Sequence, residues 1–109
     1  DQIGRVVDNL VRNAAEAAAG AELRVTLRLA DDRTVRARFE DNGPGIRDDD
    51  RVHLFRPFFT TKRGGTGLGL ALAHRIVEAH GGRLEVERGR ARGAAFTVTL
   101  PAMETHDAA

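Results

Sequence analysis

The sequence predicts an α+β domain, a two-layer α/β sandwich with helices on one face of a mixed sheet. Apolar residues recur at helical spacing in two segments and alternate with polar ones in four others. Each alternating segment has one polar face, so a single layer of helices is enough to cover the sheet. At 109 residues the chain is long enough for one core and too short for two.

Taking the elements in order, Asp1 is placed to cap a helix that runs to about Ala18, with Ile3, Val6, Val7, Leu10, Ala14 and Ala17 on one face and Gly20 as its stop. Arg5, Asp8 and Arg12 fall on the opposite face, where charges three and four apart pair in solvent. Asn9 and Asn13 sit together on the flank of the apolar stripe, a half-buried position where an amide needs a partner. From Leu23 the period becomes two: Leu23, Val25, Leu27 and Leu29, then a turn at Asp31 and Asp32, then Val35, Ala37 and Phe39. That pattern is a hairpin with one wet face. Residues 43–66 read as a long loop containing one short helical turn near Val52 to Phe55, and a compact domain keeps such a loop chiefly as a lid. A second helix is expected from about Thr66 to His80, with Leu68, Leu72, Ile76 and Ala79 as its stripe and Gly81 and Gly82 as its end. Strands Arg83 to Arg88 and Ala94 to Leu100 complete the sheet; Pro101 stops it, and 102–109 is a flexible tail.

Composition narrows the function. A formal charge of +1, from 17 basic and 16 acidic side chains, offers no broad attraction to nucleic acid or anionic lipid. Without cysteine there is neither a disulfide framework nor a thiolate metal site. No apolar run approaches the roughly 20 residues of a membrane helix, and no signal peptide heads the sequence, so the expectation is a cytoplasmic domain with no membrane contact of its own. Lys62 is the only lysine, and Asn9, Asn13 and Asn42 are the only asparagines. These scarce residue types cluster in or beside the glycine-bearing segments and the first helix.

The stretch "TTKRGGTGLGLALAHR", residues 60–75, runs glycines directly into an amphipathic helix. A helix N-terminus presents unpaired amides and a positive dipole end, which suits phosphate. The P-loop pattern fails because Lys62 precedes the glycines, and the dinucleotide fingerprint fails because Leu70 and Leu72 stand where its last glycine belongs.

Four segments taken together, "VVDNLVRNAAEA", "DNGPGI", "LFRPFFTTK" and "GGTGLGL", resemble the N box, first glycine box, F box and second glycine box of the catalytic ATP-binding domain of sensor histidine kinases, most closely the nitrogen-regulation type. This resemblance covers residues 1 to about 101 and implies the Bergerat-type fold of the gyrase, histidine kinase and MutL superfamily. By the same likeness, Asp41 accepts from the exocyclic amine of adenine, Gly43, Gly45 and Ile46 border the base, and Asn13 and Asn9 are the Mg²⁺ ligands. Lys62, Thr66 and the amides of Gly67, Leu68, Gly69 and Leu70 are matched to the phosphates. Phe55, Phe58 and Phe59 anchor the lid or serve as plain core aromatics.

Each role has a physical rationale beside the resemblance. A charged acceptor strengthens a hydrogen bond to about 1.5–3 kcal/mol, and guanine would present a carbonyl there instead. Magnesium prefers oxygen ligands and keeps several waters, so neutral amides suit a site already holding a polyanion. Superfamily members that hydrolyse ATP carry a Glu as water-activating base where Asn9 stands here, so the resemblance implies transfer to another acceptor. That acceptor is a histidine on a separate dimerisation domain, with a response regulator receiver domain downstream; no catalytic residue of this chain takes the phosphate. His53, His74, His80 and His106 are read as surface or partly buried residues.

The sequence departs from the family pattern at three points. Glu16 and Ala17 replace a frequent Lys or Tyr, leaving Arg12 or Arg63 for a phosphate contact, and Ala94 replaces a small hydroxyl residue. The strand that usually precedes the N box has no counterpart, which implies an open sheet edge or a shortened chain. Two other functions compete: an ATP-hydrolysing member of the superfamily, and a non-catalytic nucleotide-gated interaction module that offers Arg24, Arg28, Arg36 and Arg38 to an acidic partner.

Overall fold

A computed structural model of the chain describes residues 2–17, 22–30, 33–60, 67–89 and 93–101, with side chains for all of these except 13–17. The elements follow in the order α1 (Gln2–Ala17), β1 (Leu23–Leu29), β2 (Thr34–Asp41), α2 (Asp48–Arg51), α3 (Gly69–Ala79), β3 (Arg83–Arg88) and β4 (Ala94–Pro101). The expected strand boundaries hold to within two residues. Asp1, Gly20, Asp31, Asp32 and the tail 102–109 lie outside the described residues.

The strands form one sheet in the order β1-β2-β4-β3. All three pairings are antiparallel, which corrects the expected mixed sheet. The reason lies in the crossover. The path from β2 through α3 to β3 does leave two strands running in the same direction, but β4 turns back and inserts between them, so no parallel neighbours arise among the described strands. The two-layer sandwich itself is as expected.

Period-two alternation places Ala37, Phe39, Leu84, Val86, Phe96 and Val98 on the face that meets the helices. From α1, Val6 and Leu10, each 1% exposed, reach into this layer; from α3 come Ala73, Ile76 and Val77. The expected stripe of α3 is displaced: Leu68 and Leu72 are exposed, while the buried face runs through Ala71, Ala73, Ile76 and Val77. Small residues there let α1 and α3 pack chiefly on each other, and bulk goes to the outside. Val7 is likewise exposed, on the edge of the α1 stripe.

Helix α3 ends as the sequence predicts. His80 is its C-cap, Gly81 adopts φ 79°, the Gly81 amide donates to the Glu78 carbonyl at 3.0 Å and the Gly82 amide to that of Val77 at 3.0 Å. These are the paired bonds of a Schellman turn, and only glycine meets the left-handed requirement without strain. The turn delivers β3 to the sheet edge beside β4.

The helix-free face is polar. Arg38 reaches across β4 to Glu87, hydrogen-bonds it, and lies 3.6 Å from Glu40. Ala95, between these strands, is fully buried beneath the pair. The hydrogen bond that Arg38 donates to Glu87 and the charges of Glu87 and Glu40 raise the Arg38 pKa against the opposing effect of its partial burial. At the other edge, β1 turns Val25, Leu27 and Leu29 to solvent, the last two 72% exposed. Helix α3 packs over β3 and β4 and helix α1 over β2 and part of β1, so these three side chains of β1 lack cover among the described residues.

Truncating Leu10 to Ala removes the largest fully buried side chain and should cost about 2–5 kcal/mol. Urea denaturation followed by circular dichroism measures it; a loss below about 1 kcal/mol would contradict the central placement of α1.

Candidate functional site

The β2 strand ends on Asp41, whose side chain points to the helix side by the same alternation that buries Phe39. It is 5% exposed. A carboxylate so placed needs donors, and two backbone amides supply them: Gly43 donates to Asp41 Oδ1 at 2.9 Å and Ala94 to the same oxygen at 3.3 Å. Both bonds fall on one oxygen. Among the described residues Oδ2 receives none, so the second acceptor is available to a ligand donor. Gly93 makes the approach of β4 possible: a Cβ there would stand 1.7 Å from the Asp41 carbonyl oxygen. Sequence reasoning missed Gly93 and Ala94 as supports because their role is carried by backbone, which no side-chain pattern announces.

After Asp41 the chain turns through Gly45, at φ 82°, and Ile46 packs partly buried against the core. Pro44, Gly45, Ile46, Arg47 and Asp48 face Arg88, Gly89 and Gly93 across a cavity of about 580 Å³. Asn42 faces elsewhere. Its Oδ1 accepts from the Glu22 amide at 2.7 Å, and its own amide donates to the Glu22 carbonyl at 3.2 Å, so this scarce asparagine locks the start of β1 to the end of β2.

A second group forms where α1 meets the N-terminus of α3. Asn9 is half-buried, and a Cβ added at Gly69 would lie 3.3 Å from its Oδ1. Gly69 is thus the residue that lets the Asn9 amide stand at the first turn of α3. The N-cap position is Leu68, which has no side chain able to cap the helix. Leu70 is half-buried against the core and Leu68 is exposed. Asn13 lies on α1 one turn beyond Asn9. The Asn13 side chain, Lys62, Arg63 and Thr66 fall outside the described residues. The Asp41 group and the Asn9 group both belong to the helix-covered side of the sheet.

Over its described part, 43–60, the segment expected as a lid is more regular than a plain loop. Its short helix, α2, starts at Asp48 instead of near Val52, because Asp48, Asp49 and Asp50 occupy the first turn, where the helix dipole favours carboxylates. Asp48 then pairs with Arg51 at 2.9 Å and with Arg88 of β3 at 3.0 Å. Leu54 is buried; Phe55 stacks on His74 at 4.8 Å and meets Phe96 edge-on at 6.4 Å, and Phe59 sits 5.6 Å from the His53 ring. Phe58 departs from the expected trio, being 75% exposed with φ 71°. Its amide donates to the Gly67 carbonyl at 2.8 Å, and Gly67, at φ 75°, has no room for a Cβ, which would stand 2.3 Å from Phe58 carbonyl carbon. Phe58 therefore contributes its backbone to the base of the lid, and Phe55 and Phe59 contribute side chains. Two histidines of α3 and its cap make local contacts: His74 lies 3.4 Å from Glu78, and His80 Nδ1 donates to the Ile76 carbonyl at 2.7 Å.

Residues 1–104 match the family model of histidine kinase-, DNA gyrase B- and HSP90-like ATPases. The chain belongs to that family. Within it, the chain is similar to the sensor protein FixL of Bradyrhizobium diazoefficiens, 45% identical over 94% of this chain and 21% of that protein. Among solved structures, a mycobacterial sensor histidine kinase, MprB, superposes with a TM-score of 0.83 at 33% identity, covering 92% of this chain and 72% of that one. Full-length ShkA in complex with AMPPNP superposes with a TM-score of 0.82 at 31% identity, over 92% of this chain and 21% of that one. The chain spans about a fifth of the length of the curated relatives it matches. It is thus an ATP-binding catalytic domain of the sensor histidine kinase kind.

Replacing Gly67 with Ala forces a side chain into left-handed backbone and against Phe58. It should destabilise the base of the lid by at least about 1–2 kcal/mol, read as faster hydrogen exchange at the Phe58 amide with little change at Val77.

Proposed function

We propose that the chain binds MgATP between the Asp41 turn and the N-terminus of α3, and presents the γ-phosphate to a histidine on a dimerisation domain of the same kinase, whose phosphate then passes to a response regulator. The observation that carries this reading is Asp41, a buried carboxylate fixed through one oxygen by Gly43 and Ala94, with the other oxygen taking no bond among the described residues. Such a group selects a ligand that donates, as the adenine amine does. Gly45 and Ile46 border the base. Gly67, Gly69 and Leu70, with Leu68 as the cap position, offer backbone amides to the phosphates, and Lys62 and Thr66 add a cation and a hydroxyl from the lid. The AMPPNP complex of ShkA supports nucleotide binding by this fold.

The residues at the α3 N-terminus suit magnesium. Asn9 turns an amide oxygen to that point, and Asn13 follows it one turn along α1. Among the described residues no three acidic, histidine or cysteine side chains gather to hold a metal, so phosphates and water must fill most of its shell. Bound there, Mg²⁺ neutralises developing charge on the phosphates. The chain itself orients the nucleotide and excludes water. An amide at position 9 cannot accept a proton from water, which favours transfer over hydrolysis. The domain is read as acting at the cytoplasmic side.

Asp41→Asn should weaken MgATP binding roughly tenfold or more, since a donor then faces the base amine, with the denaturation midpoint lowered only modestly; isothermal titration measures the affinity, and wild-type affinity would refute the assignment. Mixing the chain and MgATP with histidine-bearing helices should yield acid-labile phosphate on those helices, and none with Asn13→Ala. Steady phosphate release by the chain alone, without transfer, would instead establish the hydrolytic alternative.

A further inference from the structure

Where β2 ends, Asn42 and Gly43 bring together the parts of a reaction that nucleotide binding does not use. The register that pairs Leu23 with Asp41 continues to Glu22 and Asn42. A hydrogen-bonded antiparallel pair exchanges two backbone bonds. Here the Asn42 amide donates to the Glu22 carbonyl at 3.2 Å, but the Glu22 amide donates to the side-chain Oδ1 of Asn42 at 2.7 Å. The carboxamide thus stands where the Asn42 carbonyl would otherwise be, lying back along its own main chain toward the next peptide nitrogen. That nitrogen belongs to Gly43, which has no Cβ to screen it. Its N–H donates to Asp41 Oδ1 at 2.9 Å. Asn42 is exposed, so water reaches it, and among the described residues its Nδ2 has no partner.

We propose that Asn42 is a self-modification site, deamidated in the folded chain by attack of the Gly43 nitrogen on Asn42 Cγ. Asp41 Oδ1 takes the Gly43 proton as general base, from the hydrogen-bond distance such a step requires. The Glu22 amide stabilises the charge that develops on Asn42 Oδ1, as an oxyanion-hole donor does. The bond from Gly43 N to Asn42 Cγ forms and the Cγ–Nδ2 bond breaks. Nδ2 leaves as ammonia with the proton that Asp41 took up, which restores the carboxylate. Water then opens the cyclic imide. Opening at Cγ leaves aspartate; opening at the main-chain carbonyl leaves isoaspartate, with the chain running through Cβ and Cγ and so one atom longer. That extra atom moves the Gly43 amide off Asp41 Oδ1 and leaves the buried carboxylate with the Ala94 bond alone. The resulting loss of nucleotide affinity rests on the reading of Asp41 as the adenine acceptor; the deamidation does not.

The experiment ages the wild-type chain in neutral buffer without nucleotide. Trypsin, cutting after Arg38 and Arg47, releases residues 39–47 as one peptide, in which mass spectrometry with fragmentation reads the loss of ammonia and gain of water at position 42. A free peptide of the same residues is the unfolded reference. The folded chain should deamidate faster than the peptide, by roughly tenfold; an equal or slower rate overturns the proposal. Asp41→Asn should bring the rate at position 42 down to that of the peptide while circular dichroism shows the fold retained, and an undiminished rate in that folded variant overturns the role of Asp41 as base. Should the variant unfold, the wild-type comparison decides alone. The isoaspartate fraction, separated by chromatography, should bind MgATP roughly tenfold or more weakly by isothermal titration, and wild-type affinity in that fraction overturns the link to the nucleotide site. Absent nucleotide binding by the fresh, unmodified chain would count against the Asp41 reading and leave the deamidation standing.

Discussion

A carboxylate buried at the end of a strand, and bonded through only one of its oxygens among the described residues, sets the terms for everything around it. Asp41 is held by amides from the turn that follows it and from the first residue of β4. Those two donors require the chain to reverse at Gly43 to Gly45, and require β4 to pass so near that position 93 has no space for a side chain. The antiparallel pairing of β2 with β4 is therefore part of the site. Inserting β4 beside β2, with β3 pushed to the edge, brings the Ala94 amide to the carboxylate. With β3 as the neighbour of β2 instead, the amide would be elsewhere and the acid would be buried without its donor, at a cost of about 1–3 kcal/mol for the lost bond alone.

Glycine at 69 serves a parallel purpose where α1 meets the head of α3. It lets α1 bring a neutral amide to the head of α3, where a carboxylate would add charge and a larger residue at 69 would push the two helices apart. Alanines on the buried side of α3 serve the same closeness. The helix pair is thus tuned for short separation more than for bulk, and the large side chains Leu68 and Leu72 are displaced outward.

Much of this was legible in the sequence. Alternation fixed β3 and β4, the Gly81-Gly82 pair fixed the end of α3, and the four motif segments placed Asn9, Asp41 and Gly69 on the correct elements. What escaped has common causes. Side-chain size points to the leucines as the stripe of α3, whereas close helix packing favours alanine. Apolar spacing points to Val52 for the short helix, although three aspartates in a row signal a helix N-terminus through the dipole. Strand direction depends on neighbour order, a long-range property that no local pattern encodes. Residue type groups Phe58 with Phe55 and Phe59; its left-handed backbone shows only in three dimensions. Gly93 and Ala94 act through main-chain atoms, and Asn42 proved to be a stitch between strands.

The bond between Phe58 and Gly67, with the glycine seated flat on its partner's backbone, sets the two ends of the connecting stretch at a separation dictated by the fold and not by how many residues lie between them. Closing a longer span costs only a logarithmic increment, about 0.6 kcal/mol per doubling. That span can therefore be lengthened, shortened or rewritten as a cassette without disturbing the core that the remainder of the chain maintains.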